Sequence, residues 1–66
     1  MTFEEKDLVA MLQKSIDSYN KAIEENDKIE RDHRLEQFTH WRTMVETLTG
    51  KSVHYSEETH KVYLRR

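Results

Sequence analysis

The stretch IEENDKIERDHR, residues 23–34, decides how this chain folds. Before it, apolar residues recur as Leu8, Leu12, Ile16, Tyr19 and Ile23, with Val9, Met11 and Ala22 beside them. At about 100° per residue these fall on one face of a helix. Lys6, Lys14, Asp17, Lys21 and Glu24 lie opposite, with Asp17 and Lys21 spaced i,i+4 for an ion pair. If the helix continued past Ile23, the same face would carry Asn26, Glu30, His33, Arg34 and Gln37, with nothing apolar for more than two turns. Asn26 tolerates the left-handed conformation that closes a helix. Asp27, followed three residues later by Glu30, has the spacing of a capping box. The chain therefore reads as two helices folded back on each other rather than one rod.

Working outward, Thr2 and Glu5 form a similar capping box at the start, so the first helix is expected over about residues 3–25. The second is expected over about residues 28–48, with Arg34, Phe38, Trp41, Val45 and Leu48 on its inner face and Leu35 and Met44 widening the stripe. Thr49-Gly50 supplies the stop. After Gly50 the period changes to two. Folding residues 52–65 about Glu57-Glu58 sets Val53 opposite Val62 and Tyr55 opposite His60, across a loop from Ser56 to Thr59. This gathers Val53, Tyr55, Val62 and Leu64 on one face, as a half-buried β-hairpin requires. A short third helix capped by Ser56 is the competing reading of the tail. The fold class expected is mainly α, a two-helix antiparallel hairpin followed by a C-terminal β-hairpin, in a single small domain spanning residues 1–66.

Sixty-six residues lie near the lower size limit for independent folding. Chains this small usually rely on a disulfide, a metal or a partner subunit. Cysteine is absent, which excludes the first and any thiol chemistry. Self-association, a possible homodimer, is the expectation that remains. No apolar run reaches the roughly 18 residues of a membrane span, so no membrane partner is expected and the default location is cytoplasmic. Net charge is −2, unevenly spread: residues 1–30 carry −4, residues 31–50 are neutral, and residues 51–66 carry +2. That bias is weak for a dedicated DNA-binding protein.

Catalytic and metal constellations are thin. His54 and His60 fall on different faces of the expected hairpin. His33 and His40 are seven residues apart, about 10 Å along a helix, too far for one tetrahedral ion to reach both readily. No phosphate-cradling glycine loop or nucleophile elbow occurs, and adjacent carboxylates such as Glu57 and Glu58 do not converge. No enzymatic activity, cofactor or metal site is expected.

What the sequence does offer is a partition of residue types. All five arginines follow residue 30, together with Phe38, Trp41, Tyr55 and Tyr63. Arginine, tryptophan and tyrosine are enriched at binding hot spots. The candidate partner-binding residues are Arg34, Phe38, Trp41, Arg42, Lys61, Tyr63, Arg65 and Arg66, although apolar residues at helical spacing such as Phe38 and Trp41 are more often core than interface. In size and architecture the chain is similar to small accessory regulators of plasmids and phages. That resemblance implies a non-catalytic protein-binding module that regulates or inhibits its partner, such as a host nuclease or another nucleic-acid enzyme. A small RNA- or DNA-binding regulator using Lys51, Lys61, Arg65 and Arg66 is the alternative.

Overall fold

The computed structural model describes residues 4–66. Two packed antiparallel helices, α1 (Glu5–Glu24) and α2 (Lys28–Thr49), are followed by β1 (Ser52–Ser56) and β2 (Lys61–Arg65), which pair antiparallel. The expected Thr2 cap lies outside the described residues. The residue preceding α1 is Glu4, which makes no side-chain capping bond.

The break between the helices falls where the sequence placed it. Asn26 takes a positive φ of 55°. The Asn26 N–H donates to the Ile23 carbonyl and the Asp27 N–H to the Ala22 carbonyl, each at 3.0 Å. This double closure satisfies carbonyls that the end of a helix leaves orphaned. Asp27 then caps α2, its carboxylate accepting from the Glu30 N–H at 3.1 Å. The reciprocal half of the box does not form: its donor, the Asp27 N–H, already serves Ala22, and the Glu30 carboxylate turns to Arg34 at 3.2 Å. At the far end of α2, Gly50 has a φ of 70° and its N–H donates to the Glu46 carbonyl.

The core joins all four elements through Leu8, Leu12, Ile16, Phe38, Val45, Val53 and Val62, with Met11, Tyr19, Trp41, Tyr55 and Leu64 packed around them. Leu12 and Val45 are fully enclosed. Truncating such a leucine to alanine costs about 2–5 kcal/mol, a large share of a small domain's stability. Three expected apolar positions lie elsewhere, the first being Leu35, which is 42% exposed on the flank of α2. Ile23 is exposed and Ala22 is buried instead, because the turn closing α1 crosses over Ala22 while Ile23 opens onto a cleft shared with Asn20 and His60. Leu48 is 56% exposed, on the side of α2 that the hairpin does not cover. The expected Asp17–Lys21 pair is replaced by a Gln13–Asp17 hydrogen bond of 3.0 Å.

The tail is a β-hairpin, not a helix, and its inner face is the expected one. Val53 and Val62 are buried, with Tyr55 and Leu64 partly so. The register differs by two residues. Val53 pairs with Leu64 and Tyr55 with Val62, and the turn comprises residues 57–60. A shift of two preserves the parity of every side chain, so the faces survive while the partners change. The cause is His60, which adopts a left-handed φ of 57° and donates its N–H to the Ser56 carbonyl at 2.8 Å.

Both outer edges of this two-stranded sheet are capped by helix side chains. Gln13 of α1 accepts from the Val62 N–H through Oε1 and donates through Nε2 to the His60 carbonyl, each at 2.8 Å. Glu46 of α2 accepts from the Val53 N–H at 2.8 Å. An isolated two-stranded hairpin is marginal in water. These clamps, with the docked valines, hold it against the helices.

Candidate functional site

The clamps fix which side of the helical layer the hairpin covers. On α1, Gln13 and Asn20 reach the hairpin, Asn20 donating to the Tyr55 hydroxyl at 3.2 Å. Met11 and Ser18 lie about 140–160° around the helix from Gln13. On α2, Trp41 lies about 140° from Glu46. The helical layer thus has a covered side and an uncovered one.

On the uncovered side a shallow cleft of about 280 Å³ runs between the helices, lined by Met11, Lys14, Ser18, Arg34, Gln37 and Trp41 among others. Arg34 crosses it, its guanidinium donating to the Ser18 carbonyl at 2.9 Å and to the Glu30 carboxylate at 3.2 Å. Trp41 is half-buried and meets the His40 ring edge-on, with centroids 5.8 Å apart. A larger concavity beside Leu35, Thr39 and Thr43 draws every lining residue from α2, so it is a helix flank rather than a cleft between elements.

The eight candidate residues therefore separate into distinct places. Arg34 and Trp41 come together in the uncovered cleft. Phe38 is 8% exposed and belongs to the core. Arg42 points toward the covered side and pairs with Glu46 at 3.7 Å. Lys61, Tyr63 and Arg65 project from the outer face of β2, with Arg66 following, on the opposite side of the molecule from the cleft.

The histidines also separate. His33 and His40 are exposed on α2. His60 in the turn meets the Tyr55 hydroxyl through Nδ1 at 2.9 Å. His54 points outward from β1 and stacks on Tyr63 across the hairpin, with ring centroids 5.5 Å apart and planes 19° from parallel. Sequence reasoning placed His54 on the surface but missed its pairing with Tyr63. The signal that would have found it is the correct register, which sets His54 directly opposite Tyr63. Among the described residues, no group of three or more histidine, aspartate and glutamate side chains converges as a metal site requires. No helix among them is long and apolar enough to cross a membrane. Comparison with protein-family models, curated proteins and solved structures finds no match for the chain.

Proposed function

We propose that this protein is a non-catalytic binding module that docks on a protein partner through the uncovered cleft of its helical layer and regulates that partner by occupying its surface. The observation that supports this is the joining of Met11, Arg34 and Trp41, from two different helices, in one accessible cleft. Methionine, arginine and tryptophan are among the side chains enriched at protein interfaces. The Arg34 guanidinium is already held by Ser18 and Glu30, so little of its rotamer freedom remains to be lost on binding. The cleft is too shallow and open to enclose a reacting small molecule, whereas a protein surface needs only complementarity. Nucleases and other nucleic-acid enzymes are the first partners to try, in keeping with the architecture. The proposal places the contact in the cytoplasm.

Lys14 and Gln37 rim the cleft and are exposed, so Lys14→Glu with Gln37→Glu changes the surface without touching the core. Tagged wild-type chain is expected to capture a partner from cells that express it, and this double variant to lose that partner while melting at the wild-type temperature. A partner retained by the double variant, or recovery of the chain in the membrane fraction, would count against the reading.

A further inference from the structure

We infer that the outer face of the β-hairpin is a second, separate binding surface, which takes single-stranded nucleic acid by stacking a base on the His54–Tyr63 pair and holding the flanking phosphates with Lys61, Arg65 and Arg66. The register builds this face from three cross-strand pairs: Ser52 with Arg65, His54 with Tyr63, and Ser56 with Lys61. The stacked aromatic pair sits in the middle, with one cation on each side along β2. Lys61 and Arg65 are four residues apart, about 13 Å along a strand, with Tyr63 midway. None of the six positions carries a carboxylate.

The ion pairs of the molecule sharpen the contrast. Each of the three arginines on α2 has a carboxylate within ion-pair distance, and Lys51 meets Glu5 at 2.7 Å. Among the described residues, Lys61, Arg65 and Arg66 make no ion pair, and neither do Lys14, Lys21 and Lys28 on the helices. In a chain of net charge −2, the outer face of the hairpin thus keeps its positive charge uncompensated.

Cations alone would suit any acidic partner. The aromatic pair selects among them, because every base has a π-face and a carboxylate-rich peptide has none. Single strands fit better than duplex. Their bases are free to leave the stack, while the face is only two strands wide. The turn residues Glu57 and Glu58 close one end, so the strand runs toward Arg65 and Arg66. The surface lies opposite the protein-binding cleft and does not depend on it.

The test is fluorescence anisotropy of the full chain with labelled oligothymidylate and oligouridylate of about 12 nucleotides, a length within the range bound by single modules. Binding is expected in roughly the 1–100 µM range that sequence-independent association shows at physiological salt, and tighter at low salt. With three phosphates neutralised, log affinity should fall with log salt at a slope of about −2. Lys61→Glu with Arg65→Glu should abolish binding. Tyr63→Thr, which keeps a strand-forming residue, should weaken it roughly ten-fold while leaving the salt slope unchanged. Protection of the Val62 amide from hydrogen exchange is the check that each variant keeps its hairpin, and His54→Ser gives an independent route to the same loss if Tyr63→Thr unfolds. Absence of binding at low salt would overturn the inference. So would duplex binding as tight as that of single strands, unchanged affinity on removing the aromatic pair, or equal binding of a polyglutamate peptide. Lys14→Glu with Gln37→Glu should leave oligonucleotide binding intact, which separates failure of this surface from failure of the cleft.

Discussion

Gln13→Ala offers the most searching test of how the tail is held. The Gln13 amide serves two backbone groups of the hairpin, accepting from the Val62 N–H and donating to the His60 carbonyl, both at 2.8 Å. Each such bond contributes about 0.5–1.5 kcal/mol net. Alanine returns a few tenths through its better helix propensity. The expected loss is therefore about 1–2.5 kcal/mol, toward the lower end if water reaches the Val62 N–H. For a domain of this size that corresponds to a fall of roughly 5–20 °C in melting temperature. Urea denaturation followed by far-ultraviolet circular dichroism measures the total. Hydrogen exchange at the Val62 amide localises it, and protection there should drop more than protection within α2. Gln13→Glu is the informative control at neutral pH. It keeps an acceptor for Val62 but turns a carboxylate toward the His60 carbonyl, close to Asp17, so it should restore only part of the loss. If Gln13→Ala lay within about 0.5 kcal/mol of wild type and Val62 stayed protected, the clamp would be a passive contact and valine burial alone would dock the hairpin.

Three further outcomes follow from particular residues. Gly50→Ala should cost about 1–2 kcal/mol, because an added Cβ meets nothing within 4 Å and only the left-handed φ of 70° opposes it; a neutral result in thermal melting would show that the helix end can re-form elsewhere. Thr39, Thr43 and Thr47 lie exposed on α2, each hydroxyl donating to the carbonyl four residues earlier at 3.0 Å. Replacing all three with alanine should stabilise the chain by up to about 0.7 kcal/mol per site, and a drop in the urea midpoint would mean that this flank is covered in solution. Sedimentation equilibrium at micromolar concentration should reveal a species heavier than the 8.0 kDa chain; a folded monomer throughout would show that the docked hairpin completes the core by itself.

The helical part of this fold was legible because its signals are local. The apolar stripe ends at Ile23, Asn26 closes one helix and Asp27 opens the next, all within a few residues. The parity of the tail was legible for a related reason, since alternation is a property of neighbours. Its register was not. That depends on His60 entering the left-handed region, which histidine does less readily than glycine or asparagine. It depends also on Gln13, which holds the turn from 47 residues away. No window of sequence contains both. The candidate site was only half legible for the same cause. Phe38 and Trp41 share one apolar stripe, and the sequence cannot say which flank of that stripe the hairpin will cover. Once it docks beside Glu46, Phe38 becomes core and Trp41 is left at the edge of the open cleft.

The two proposed surfaces can coexist in so short a chain because strand parity divides the labour of the tail. Val53, Tyr55, Val62 and Leu64 point inward and supply the contacts that dock the second layer. His54, Lys61, Tyr63 and Arg65 alternate with them and are exposed. A substitution on the outer set leaves the inner set in place, and surface changes of that kind usually stay within about 0.5 kcal/mol. The inner set has no such latitude, since an aspartate at Val62 would bury a charge beside Leu12 and Ile16's apolar cluster with nothing to pair it. The proposed binding and the stability thereby fall to different residues of the same ten. A partner-facing variant that also unfolded the chain would contradict that division, and with it the reason the hairpin can both close the core on one side and present a cationic aromatic face on the other.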